Sequence, residues 1–376
     1  MKKVKILHCA DIHIGAAESF LGSGAAARRY ETLITFEKII DMAKSEAVEV
    51  IAIAGDLFHS NRIEQGFVDA VFGKIREANP IKVVFAAGNH DPLNAESPFL
   101  KEDLPSNLYV LGINDDEITF EDLKLKAYGR SFESGSLKGE DAFSLPTGND
   151  YINLLVQHGE LKSDLNSEFN AITPKFVKNS GMDYIALGHV HKRSEIGKID
   201  NTYFAYCGCP EGQGFDELQE KGVYIGEIGK GFCDLKFVPV SKRQHIFEKI
   251  DISKFATSQE IASYIIEVLE QKHGDNFTEN LYKIELIGEI SEDIEINTEE
   301  VLSRIADKVY FIKLKDKTEI ALDLESLSKE ASLKGLFVKK MLERTENAPE
   351  DEKELYKKAL KLGLKAFNTE VKYDED

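Results

Sequence analysis

Five times in the first 191 residues, an apolar run stops on histidine, acid or amide side chains. "VKILHCADIHIG" closes on Asp11 and His13, and "VEVIAIAGDLFHS" on Asp56 and His59. "IKVVFAAGNHDP" closes on Asn89, His90 and Asp91, "YINLLVQHGE" on His158, and "DYIALGHVHKR" on His189 and His191. Short apolar runs of this kind read as buried strands. Between the first three runs, Leu33, Phe36, Ile39, Ile40 and Ala43, then Phe67, Val71, Phe72 and Ile75, recur at helical spacing. Strand–helix–strand order predicts a parallel sheet covered by helices. In such a sheet, ligands gather beyond the carboxyl ends of the strands. The polar ends of all five runs are therefore expected on one edge of the fold.

Each piece alone has a bland reading. Gly, Asn and Asp are ordinary turn residues, and Pro92 would close a turn. Taken in order, the pieces make coincidence a poor account, because six of the nine histidines sit in them. Asp-x-His and His-x-His place both side chains on one side of an extended chain. Gly55, Gly88 and Gly188 precede the polar residues and are expected to permit tight turns. Mixed carboxylate, imidazole and amide donors suit manganese, iron or zinc rather than calcium. Two such ions roughly 3.5–4 Å apart can clamp a phosphate and activate water.

Beyond residue 107, strands come with fewer helices between them, which predicts a second sheet packed on the first. Stretches 133–150 and 210–221 are polar and read as loops. From about residue 245 the order is helix, strand, helix, strand, and two further helical segments end the chain. Asn347, Pro349 and Glu350 supply the signals that would start the last helix. The expected division is 1–243, an α/β domain; 244–326, a small α+β domain; and 327–376, a helical segment. At 376 residues the chain is too long for one ordinary core. The four cysteines, 9, 207, 209 and 233, are too few for a disulfide framework and are expected to be reduced. No apolar run is long enough to span a bilayer, so the expectation is no membrane and a cytoplasmic location. The net charge of −19 suits a cation binder better than a protein with a broad basic nucleic-acid footprint.

The series Asp11-x-His13, Gly55-Asp56, Gly88-Asn89-His90-Asp91, His158-Gly159 and Gly188-His189-x-His191 resembles the calcineurin-like metallophosphoesterase signature. His59, where other branches usually carry an acid, makes it similar to the SbcD-type DNA-repair nucleases, relatives of the nuclease of the MRN complex. The resemblance implies a four-layer α/β/β/α sandwich with a small α+β capping domain and C-terminal helices. It implies that Asp11, His13 and His191 hold one divalent ion, most often manganese. Asn89, His158 and His189 would hold a second, and Asp56 would bridge them. His90 would be the catalytic acid facing the phosphate, and His59 would position the DNA end. Asp91 is expected behind the ligands, orienting a neighbouring histidine. The implied function is a DNA exonuclease, with endonuclease activity also in view, working as a homodimer with an SbcC-type, SMC-like ATPase on double-stranded ends. The alternatives are a small-molecule phosphodiesterase or phosphatase, and a non-catalytic DNA-end-binding adaptor. Cys207-Gly208-Cys209-Pro210 departs from the Gly-Ser common in relatives.

Overall fold

Strand β1 (Lys3–Cys9) shows how alternation builds the layers. Successive side chains point to opposite faces. Leu7 and Cys9 pack with Phe36, Ile39, Ile40 and Ala43 of helix α1 (Ala25–Ser45), whereas Val4 and Ile6 pack with Leu154, Val156 and Ala186. The second set belongs to another sheet, so β1 is covered on both faces. From Ile6 to Cys9 the strand is wholly buried, and His8 is the one polar side chain in that stretch.

The remaining elements repeat the pattern. Strand β2 (Val50–Ile53), helix α2 (Gln65–Glu77), β3 (Lys82–Ala86) and β4 (Leu108–Leu111) extend the first sheet in parallel register from β1. The second sheet contains β5 (Asp116–Phe120), β6 (Leu125–Gly129), β7 (Ile152–His158), β8 (Tyr184–Gly188), β9 (Gly197–Ile199) and β10 (Thr202–Tyr206). Its order is β9-β10-β8-β7-β6-β5. Helix α3 (Pro174–Asn179), capped by Thr173 Oγ1, helps to cover its outer face through Phe176 and Val177. Antiparallel β11 (Gly222–Gly229) and β12 (Phe232–Pro239) return to complete the first sheet, giving β12-β11-β1-β2-β3-β4. The result is the expected α/β/β/α stack, with a core between the sheets and others beneath the helices.

The structure describes residues 2–138, 150–291 and 294–368, without 102, 113, 115 and 322; it is a computed structural model. Most of the predicted 133–150 loop therefore lies outside the described residues, as do residues 369–376 of the C-terminal segment. Strands β5 and β12 were not expected from the sequence. Both are edge strands whose burial is interrupted by exposed charged residues, Glu117 in β5 and Asp234 and Lys236 in β12. Helix α1 also differs. Its first half buries Arg28, Glu31, Thr32 and Thr35, a polar face that apolar periodicity cannot reveal. All four cysteines are free.

Farther on come β13 (His245–Asp251), helix α4 (Ser258–His273), β14 (Leu281–Ile287), helix α5 (Thr298–Ile305) and β15 (Phe311–Asp316). The three strands form a sheet in the order β13-β14-β15. Helices α6 (Leu324–Lys329), α7 (Leu333–Asn347) and α8 (Lys353–Asn368) follow, with Val338 and Met341 packed among Leu360 and Leu364. Asn347 does not start the last helix. It is the final residue of α7, and its Nδ2 donates to Glu343 O at 2.7 Å. The chain forms two compact units. One comprises Met1–Glu248, Leu269–Lys283 and Ala306–Lys313; the other comprises Lys249–Val268, Ile284–Ile305 and Leu314–Asp376. Among the described residues, no helix is long and apolar enough to cross a membrane.

Candidate metal centre

The first two strands continue side by side past their ends. Asp11 N donates to Gly55 O at 3.0 Å, His13 N to Asp56 O at 2.9 Å, and Ile14 N to Leu57 O at 2.9 Å. Within this extension Asp11, His13 and Asp56 adopt left-handed backbone, with φ of 52°, 49° and 53°; His189 has φ of 93°. Each such non-glycine position costs on the order of 1–3 kcal/mol, and clusters of them mark functional sites. The three glycines expected to permit tight turns do not all serve in the same way. Gly55 has φ of 88°, but at Gly88 space decides: a Cβ there would strike the Asp56 carboxylate.

The side chains of all five strand ends converge. Asp56 Oδ2 lies 3.7 Å from His13 Nε2 and 3.4 Å from His158 Nε2. On one side, His13 Nε2 faces His191 Nε2 at 3.1 Å, and the donor atoms of Asp11, His13 and His191 lie within 4.8 Å of one another. On the other, Asn89 Oδ1 stands 3.0 Å from His158 Nε2 and 3.3 Å from His189 Nδ1. Asp56 thus sits between two donor groups. Asp11 accepts the His189 N–H at 3.0 Å, tying the two sheets together at this edge. Asp11, Asp56 and His158 are buried, His189 and His191 are half-buried, and His59 and His90 are exposed.

These residues fit a pair of divalent ions. Among the described residues, the ion pairs of Asp11 and Asp56 are to histidines, with no lysine or arginine partner. Two imidazole Nε2 atoms facing each other at 3.1 Å must share either a proton or a cation. Burial holds His13 down to about 3 and His189 to about 4, so both offer lone pairs at neutral pH. Burial pushes Asp11 up to about 6 against the pull of His158 and His191. Burial would lower His191, but the Glu217 hydrogen bond and charge overcome it and raise His191 to about 9. Ion uptake must therefore displace a proton at His191. Asp11, His158 and His191 are the donors shifted toward holding a proton in the absence of an ion.

A ring of acceptors fixes the imidazoles. His158 Nδ1 lies 2.9 Å from Ala54 O, His191 Nδ1 2.5 Å from Glu217 Oε1, and His90 Nδ1 3.1 Å from His59 O. The His59 ring stacks on His90 at 5.3 Å, and the His13 ring meets it edge-on at 4.8 Å. Asp91, expected to orient a histidine, instead accepts four backbone N–H groups: Gly88, Asp56, Leu57 and Phe58, at 2.7–3.2 Å. It ties the Asp56 turn to the Asn89 turn. Burial, with Asp56 nearby, pushes its carboxyl up to about 7 against those donors. Glu217 and Glu160, whose Oε1 lies 3.7 Å from His189 Nε2, were not foreseen. Glu160 follows His158-Gly159 directly, which was an available signal; Glu217 lies in a stretch read as a plain loop and has none.

Residues 4–193, half of the chain, match the Calcineurin-like phosphoesterase family. The chain is 30% identical over 246 residues to the uncharacterized metallophosphoesterase YhaO of Bacillus subtilis, covering 61% of this chain and 59% of that protein. It is 24% identical over 357 residues to the DNA double-strand break repair protein Mre11 of Methanopyrus kandleri, covering 87% and 76%. It is 23% identical over 307 residues to a subunit of the SbcCD nuclease of Staphylococcus saprophyticus, covering 73% and 77%.

Proposed function

The chain belongs to the calcineurin-like phosphoesterase family, and on that premise we propose that it is a manganese-dependent DNA exonuclease acting in double-strand-break repair. The observation that carries the hydrolytic core of this reading is the gathering of seven donor residues, the buried Asp56 among them, from five strand ends. The Mre11 and SbcCD relatives support DNA as the substrate.

In this reading Asp11, His13 and His191 would hold one ion, Asn89, His158 and His189 the other, with Asp56 between the two sets; divalent ions held there would supply Lewis-acid activation of water and charge neutralisation on the phosphate. The chain's own residues do the rest. His59 O lies against His90 Nδ1, which leaves the Nε2 edge of the ring as the one to face the leaving oxygen. The His59 ring limits how far His90 can rotate. Asp91 holds the backbone on which Asp56 and Asn89 are mounted. We assign catalysis to residues 1–243, DNA capping to 244–326 and docking of an SMC-like ATPase to 327–376. The protein works as a homodimer in the cytoplasm.

The test offers purified protein and manganese three substrates: linear duplex DNA, circular single-stranded DNA and a chromogenic phosphodiester. Shortening of the linear duplex from its ends is expected, and an Asp56→Asn protein should be inert. Hydrolysis of the small ester with both DNA substrates intact would sink the nuclease reading and favour a small-molecule phosphodiesterase. Binding of duplex ends without any hydrolysis would favour an adaptor.

A further inference from the structure

Glu217 stands outside every strand-end motif, yet its carboxylate meets a donor residue of the centre directly. One oxygen, Oε1, takes the Nδ1–H of His191 at 2.5 Å. The other, Oε2, accepts the backbone N–H of Gln213 at 3.0 Å and lies 3.3 Å from the Cys209 thiol, which donates to it. The side chain is 15% exposed, so these contacts are sheltered from water. Four residues on, Lys221 Nζ donates to the His191 carbonyl at 3.1 Å. The loop therefore grips His191 at its ring and at its backbone.

We propose that Glu217 is a positioning residue for the ion held by Asp11, His13 and His191, selecting the His191 tautomer whose Nε2 lone pair faces that ion. The inference rests on the two-ion reading above. An imidazole with its Nδ1–H given to a carboxylate cannot flip, and the charge behind the ring makes Nε2 a stronger donor. The two contributions separate chemically. A glutamine can still accept the Nδ1–H but brings no charge; an alanine does neither. Cys209 becomes part of the same device, because its thiol helps to fix the carboxylate that fixes the ring. This gives a use to the Cys-Gly-Cys-Pro departure that the signature motifs leave without one.

The experiment is a manganese titration of the full chain, with free ion followed by electron paramagnetic resonance, alongside metal-free thermal melts. The wild type should take up two ions. Glu217→Ala should weaken one of them by about 10–100-fold and leave the other unchanged. Glu217→Gln should weaken the same ion by less, with an unaltered metal-free melting temperature. Two ions bound by both variants at wild-type affinity would overturn this inference alone. Loss of both ions together with a lowered metal-free melting temperature in the glutamine variant would also overturn it, because Glu217 would then be a folding residue. A wild type that takes up no ion would overturn the two-ion reading itself.

Discussion

Two buried acidic clusters lie in the first compact unit, and they are compensated in opposite ways. At the strand ends, Asp11 and Asp56 face imidazoles. Behind them, Glu18, Glu31 and Glu211 surround Arg28, at 2.6, 2.9 and 2.9 Å, and Arg243 adds two further bonds to Glu31. Thr35 and the Lys242 backbone complete the Glu211 carboxylate. The second cluster carries its own cations in fixed forks and is a structural joint. The first leaves its negative charge to be matched from outside. Buried carboxylates that face imidazoles mark the cation site; those gripped by guanidinium groups mark the scaffold.

The contrast predicts opposite phenotypes. Asp56→Ala should remove ion uptake and lower hydrolysis by roughly 10³-fold or more, since bound ions supply several kcal/mol of charge stabilisation. Isothermal titration with manganese and the DNA assay check it; retained activity would break the contrast at once. His90→Ala should keep both ions and lose about 10²–10⁴-fold in turnover. Ion loss in that variant would remove His90 from its proposed role. Arg28→Ala should behave in the reverse sense. It removes the guanidinium that three buried carboxylates share and should cost about 3–5 kcal/mol in denaturant unfolding, with ion affinity unchanged in the folded protein.

Proton linkage gives a smaller effect. With His191 held at about 9 before ion uptake, apparent affinity should rise about tenfold per pH unit between 7 and 9. Buffers of different ionisation enthalpy should report about one proton released per ion at that end. Smallest is Asp11→Asn in the metal-free protein. Burial raises the Asp11 carboxyl to about 6, above its unfolded value, so its charged form opposes folding above that pH. The variant should be more stable by about 1 kcal/mol at pH 8, while losing an ion. Lower metal-free stability would mean that Asp11 is compensated within the chain after all.

The same contrast explains what could be read from the sequence. The strand ends were legible because each pairs a local apolar run with a polar stop, and the ligand types are rare enough to notice. Nine histidines can be tracked one by one; sixty-six acids cannot. Glu18, Glu31, Glu211 and Glu217 therefore carried no signal, and their partners lie up to 227 residues away in the chain. Gly88 was legible as special but for the wrong reason, since its missing Cβ makes room for Asp56 rather than a turn. Asp91 was placed behind the ligands, yet its partners are backbone N–H groups that no sequence pattern specifies.

The central claim is that two ions sit on either side of Asp56. Manganese-soaked crystals, measured with anomalous scattering, address it directly. The account predicts two peaks roughly 3.5–4 Å apart, one beside His13 and His191, the other beside Asn89 and His158, with Asp56 touching both. A single peak, or peaks at other carboxylates with this cluster empty, would contradict it.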